Sequence, residues 1–188
     1  MSPNPPLFAL EDQLALYKEY HLNPINIKIH LVCIPQILFS AFVIASYVSF
    51  SDSSKYCNLG WTAIGVYELY YLILDLEAGL IAAPFMFGIG IFSNYLHEAY
   101  PAETAFIIKF ALFIHFFSWA AQFYGHFHFE GNAPAVFDNF VQPLILAPYF
   151  VIFEWMFIFG HRLDLKKAIF RKAKVLLDER TKQGAKKN

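Results

Sequence analysis

Residues 105–130 read AFIIKFALFIHFFSWAAQFYGHFHFE. The segment 105–123 is apolar enough for a membrane span, and it then ends in His126, His128 and Glu130 within five residues. Burying a polar group unpaired costs roughly 2–7 kcal/mol, so an apolar wall closing in this way implies that something satisfies those groups, and a metal ion can. On a helix, His126 and Glu130 share one face about 6 Å apart, a spacing that can offer two ligands to one ion. His128 would face elsewhere and could join only if the chain were extended after Gly125. The plain alternative is a helix end where His126 caps the last carbonyls. The grouping with Asp138 and Asn139 close behind favours a functional site.

A second polar cluster, residues 20–30, opens the first apolar run. Asn23-Pro24 is a helix start, with Asn as cap and Pro at the first helical position. His30 falls about two turns into that helix, and a histidine inside an apolar span is a functional-site candidate by default. His21 precedes the cap and reads equally well as an interfacial residue. Lys28 either neutralises an acidic head group or reaches out to the membrane surface. His97, His115 and His161 read as interfacial or packing residues.

The whole chain has 188 residues, 57% hydrophobic and only 15% charged. Soluble domains carry about 25% charged residues, so the class is membrane protein and a single membrane-embedded domain, residues 1–188, is expected. Residues 7–20 form a short amphipathic helix within an N-terminal segment 1–24. Apolar runs follow at 25–50, 61–74, 78–96 and 105–123, the second short for a crossing, and a last one at 144–160 contains Pro148 and Glu154. Four crossings return His126 to the face that holds His30, which supports one shared site. Pro148 and Glu154 favour a re-entrant last segment, since an acid at depth must be buried in protein. The fold expected is an all-α bundle of four spans plus one re-entrant or spanning segment, with amphipathic helices at both ends.

Ten of the fourteen Lys and Arg lie in residues 161–188. Apolar residues alternate with them, so this basic tail reads as an amphipathic helix on an anionic leaflet rather than as a nucleic-acid-binding segment. The start of the chain, with Pro3, Pro5 and Pro6, lacks the basic region of a cleaved leader. Cys33 and Cys57 read as packing residues rather than a disulfide.

Two blocks of residues carry a resemblance. The first is Tyr17, Tyr20, His21, Asn23, Pro24, Asn26, Ile29, His30, Ile34 and Pro35. The second is Gln122, Phe123, Gly125, His126, Phe129, Glu130, Pro134, Ala135, Asp138 and Asn139, continuing through Gln142, Leu146 to Phe150, Phe153 and Glu154. In this register the chain resembles the yeast-type 2-hydroxy fatty acid dioxygenase family, directly over about a third of its length. The resemblance does not extend to His128, Asp75 or Glu77. It implies a multi-pass endoplasmic-reticulum membrane enzyme that uses Fe(2+) and O₂. Such an enzyme converts a long-chain 2-hydroxy fatty acid to the acid one carbon shorter, in the breakdown of phytosphingosine-type lipids.

A 2-hydroxy carboxylate can chelate iron through its hydroxyl and one carboxylate oxygen, and a mononuclear centre of His and carboxylate ligands suits that task. The ligands expected are His30, His126 and Glu130, with His21 as a fourth ligand or a proton-handling residue. Asn26, Asp138, Asn139 and Gln142 would orient ligands or substrate, with Lys28 facing the head group. Two other classes compete. A di-iron membrane hydroxylase needs about eight imidazoles in His-rich boxes, whereas this chain has seven His and no such box. A non-enzymatic lipid-binding or membrane-shaping protein would need no metal. A transporter lacks support, since no paired broken helices repeat along the chain.

Overall fold

The computed structural model describes residues 5–131 and 142–185. Among them the regular elements are helices: α1 (Leu10–Glu19), α2 (Pro24–Ser46), α3 (Leu59–Leu74), α4 (Leu76–Ala99), α5 (Thr104–Gly125), α6 (Ala147–Ile158) and α7 (Leu163–Ala185). α5 runs on into a π-turn, His126–Glu130, and a second π-turn, Gln142–Leu146, leads into α6. α2, α4 and the continuous run Pro101–Glu130 are long and apolar enough to cross a membrane. α3, with 16 residues, is about 24 Å long, less than the ~30 Å hydrocarbon core, and Leu144–Ile158 is also shorter than a crossing needs. The all-α membrane-type architecture is therefore present, with three helices of spanning length among the described residues, beside an expectation of four crossings.

By compactness the chain divides into two units, Met1–Leu31 with Phe123–Asn188, and Val32–Gln122. In the second unit α3 and α4 are joined through Asp75 alone. Its side chain accepts from Ala78 N–H at 3.0 Å, and its own N–H donates to the Tyr71 carbonyl. The acid found between two apolar runs is thus a helix cap. A Cβ at Gly90 would lie 2.8 Å from Ile64 and 2.9 Å from Trp61, so glycine there lets the two helices approach closely. The Trp61 indole N–H donates to Asn94 Oδ1 at 3.2 Å. His115 on α5 meets the Ser40 hydroxyl at 3.0 Å and accepts from the Trp119 indole, in keeping with a packing role. Phe106, Phe110, Phe113 and Phe117 are all more than half exposed along α5, an apolar surface suited to lipid. Cys33 and Cys57 are both free thiols, the first buried and the second exposed.

In the first unit α1 is a buried helix. A surface helix buries one stripe, yet every residue from Gln13 to Glu19 is buried. α7, α6 and the second π-turn all pack against it, and α7 buries Ile169 and Ala173. Ion pairs reinforce the contact: Lys172 lies 2.8 Å from both Glu11 and Asp12, and Arg180 Nε lies 3.0 Å from Glu19 Oε1. The Arg180 guanidinium also sits 4.4 Å from the centre of the Tyr20 ring. Two cations that the sequence assigned to a lipid surface therefore face acids of this chain. Because the Glu19 side chain is 1% exposed, removing Arg180 takes an ion-pair partner from a buried charge. Arg180→Met is expected to cost about 3 kcal/mol or more, read by chemical unfolding of the detergent-solubilised protein; a loss below about 1 kcal/mol would show that Glu19 does not depend on Arg180.

Candidate metal centre

Three short stretches bring three imidazoles together. α1 ends at Tyr20, whose N–H bonds to the Tyr17 carbonyl, and His21 N–H follows with a bond to the Lys18 carbonyl at 3.0 Å. Asn23 then starts α2 as the sequence indicated, its Oδ1 accepting from Ile25 N–H at 2.8 Å. His30 stands on the second turn of α2, and His126 opens the π-turn after α5. π-turns inside helices recur at functional sites because they re-aim side chains.

The three ring centres lie 4.4, 4.7 and 4.9 Å apart, each pair nearly edge to face. One ligand atom from each of His21, His30 and His126 falls within 4.8 Å of the others, and all three residues are buried.

Backbone carbonyls set the tautomers. His21 Nδ1 is 2.7 Å from the Tyr17 carbonyl and His30 Nδ1 is 2.9 Å from the Asn26 carbonyl. A carbonyl only accepts, so each Nδ1 carries the proton and each Nε2 keeps its lone pair, the state in which histidine ligates metals. His21 Nε2 and His126 Nδ1 are buried with no hydrogen-bond partner among the described residues. Burial first, then repulsion from His30 and His126, holds the His21 imidazole well below its ordinary range, so it stays neutral. The Tyr17 ring stacks parallel on His21 at 3.9 Å and meets Phe150 at 4.0 Å. Neutral, converging, oriented imidazoles with orphaned nitrogens fit a divalent transition metal.

Glu130 has a different neighbourhood. Its Oε1 accepts from Asn23 N–H at 2.9 Å and from Asn26 Nδ2 at 3.1 Å, while Asn23 Nδ2 donates to the Phe129 carbonyl. It serves the open N-terminus of α2, where backbone N–H groups lack helical partners and a carboxylate is favoured. Asn26 is fully buried beside it. Gly125 makes this approach possible, since a Cβ there would lie 2.4 Å from Asn26 Oδ1. Lys28 is exposed on α2, and His128 is exposed and stacked on Tyr124. Asp138, Asn139 and the side chain of Gln142 lie outside the described residues. Sequence reading did not single out Lys18, whose ammonium pairs with Glu154 at 2.9 Å with both side chains under 10% exposed. Its signal was complementarity: one lysine in the first short helix and one acid in the last apolar run.

The fold and this cluster define a helical membrane-type protein with three buried histidines that could together hold a metal ion. The chain belongs to the family described as 2-hydroxy-palmitic acid dioxygenase Mpo1-like, whose model matches residues 7–159. It is 34% identical over 165 residues to the 2-hydroxy-palmitic acid dioxygenase MPO1 of Saccharomyces cerevisiae, covering 87% of this chain and 88% of that protein. No solved structure matches.

Two outcomes follow for the centre. Gly125→Ala displaces Asn26 and should lower retained metal several-fold, by elemental analysis after gel filtration, while Gly88→Ala, with nothing within 4 Å of the added Cβ, should leave it unchanged. Equal metal in both variants would reject the close-approach argument. The second concerns pH. The native state refuses a proton that His21 takes up near pH 6.5 once unfolded, so stability is full above that pH and falls below it. The loss from this group is about 1.4 kcal/mol per pH unit, measured as unfolding of metal-free protein between pH 7.5 and 5.5. His21→Phe should lower the measured slope by about that amount; an unchanged slope would contradict a neutral buried His21.

Proposed function

We propose that the protein is an Fe(II)-dependent dioxygenase of the endoplasmic-reticulum membrane, acting as one catalytic domain on long-chain 2-hydroxy fatty acids. The product is the acid one carbon shorter, formed with CO₂ in the degradation of phytosphingosine-type lipids. The observation that carries this reading is the buried triad of His21, His30 and His126 in a chain 34% identical to the yeast 2-hydroxy-palmitic acid dioxygenase. The reaction balances without an outside reductant: R–CHOH–COOH and O₂ give R–COOH, CO₂ and H₂O.

His21, His30 and His126 would hold the iron. Iron supplies the redox chemistry through which O₂ reacts with a closed-shell substrate, and a His-rich site with open positions suits it. The sequence placed Glu130 in the ligand set and His21 at its margin. The convergence of the three imidazoles supports His21 as a ligand, and the bonds of Glu130 to Asn23 and Asn26 support a positioning role for that carboxylate. The Tyr17 and Asn26 carbonyls orient two of the rings, and Phe150 with the Tyr17 ring helps keep water from His21.

O₂ uptake by detergent-purified, Fe(II)-loaded protein given 2-hydroxypalmitate tests the reading. Stoichiometric O₂ loss with pentadecanoic acid identified by mass is expected, and His126→Ala should lose both bound iron and at least 100-fold in turnover. A folded, iron-bearing wild type that consumes no O₂ with this substrate would reject it.

A further inference from the structure

We propose that the Tyr17 hydroxyl and the Lys18 ammonium form a carboxylate-binding subsite beside the three histidines, where the head group of an acidic amphiphile is recognised. This subsite presupposes the enzymatic reading above and adds to it the groups that select an acid over a neutral lipid.

The Phe150 ring gathers the participants. The Tyr17 ring lies 4.0 Å from it, the Lys18 Nζ 5.7 Å and the His21 ring 6.1 Å. Tyr17 is also stacked on His21 at 3.9 Å, with the ring planes 6° apart, so its hydroxyl is carried alongside that imidazole. Two hydrogen-bonding capacities are left open here among the described residues. The Tyr17 hydroxyl is buried without a partner. The Lys18 ammonium, with three donors, has one bond, to Glu154 Oε1 at 2.9 Å. Buried polar groups in native proteins are nearly always satisfied, and each exception calls for a cause.

The ion pair calls for one as well. A buried pair recovers little stability over apolar residues of similar volume, so its place in this core is better explained by a use for the cation. A tyrosine phenol carries its proton at neutral pH and is therefore a donor. A phenol O–H and an ammonium N–H together match the two oxygens of a carboxylate, through charge-assisted bonds stronger than neutral ones. Glu154 keeps Lys18 charged in an apolar setting and holds it in place. A neutral head group of the same size would gain no charge-assisted bond and would leave both donors poorly satisfied.

Calorimetric titration of anaerobic, metal-loaded protein in detergent, with 2-hydroxyhexadecanoate and with hexadecane-1,2-diol, tests the subsite. Wild type should prefer the acid at least tenfold. Tyr17→Phe and the double variant Lys18→Met, Glu154→Gln should each lower that preference at least threefold by weakening the acid alone, with affinity for the diol and metal content unchanged, the remaining preference being that of the metal for a 2-hydroxy carboxylate. A purely structural pair would instead lower thermal stability and leave the acid-to-diol ratio intact. Acid preference undiminished in either folded variant overturns the subsite. If the double variant does not fold, Tyr17→Phe, which deletes one unpartnered oxygen, decides alone. A wild type that oxidises the 2-hydroxy acid yet shows no preference overturns the subsite and leaves the enzymatic reading standing. One that binds neither amphiphile and consumes no O₂ overturns both.

Discussion

Glu130 Oε1 accepts two hydrogen bonds, one from the Asn23 backbone and one from the Asn26 side chain. Those bonds close the end of α5 onto the start of α2, and much of the centre depends on that closure. The open N-terminus of a helix is partially positive and carries unpaired N–H groups, so a carboxylate there meets both needs at once. With the two ends fixed, His126 in the π-turn and His30 on the second turn of α2 come within reach of each other. Asn26 contributes twice, donating from its side chain to Glu130 and accepting through its carbonyl from His30. The absence of a side chain at Gly125 leaves room for it. Position and tautomer of one imidazole are therefore set by the same short stretch of backbone that the carboxylate holds.

The third imidazole comes from a separate construction. His21 follows directly on α1, and α1 is enclosed by α6, α7 and the second π-turn. Enclosure has a cost, because Lys18 and Glu19 are taken out of water with it. Each is matched by an opposite charge from far along the chain, Glu154 and Arg180. The helix that presents His21 is thus fixed by polar bonds at its buried end and by apolar packing along its length. A ring held parallel to Tyr17 and tied to its carbonyl has little freedom left.

Much of this could be read from the residues. Asn23-Pro24 announced the start of α2, since both residues have a defined place at a helix N-terminus. The apolar runs marked the helices, and a histidine two turns into one of them marked the site. The role of Glu130 was harder to read, because a spacing of four says which residues share a face but not what stands opposite. The helix start that claims this carboxylate lies more than a hundred residues away in sequence. The basic tail was ambiguous for a similar reason: an amphipathic pattern with cations suits an anionic leaflet or an acidic helix equally, and only the fold places Glu11, Asp12 and Glu19 against it. Asp75, an acid between two apolar runs, has its reason only in the fold, where it caps one helix while its N–H closes another.

The pairing of α1 with α7 also bears on how the protein is made. α1 leaves the ribosome well over a hundred residues before α7, so for much of translation the earlier segment waits without the partner that covers it. Segments fold as they become available during synthesis, and the ion pairs of Glu11, Asp12 and Glu19 cannot form until the final turns have emerged. A chain still being translated therefore has His30 and His126 in its long apolar helices but no fixed His21. Order of synthesis thus keeps the three imidazoles from being fixed together until α7 has been made.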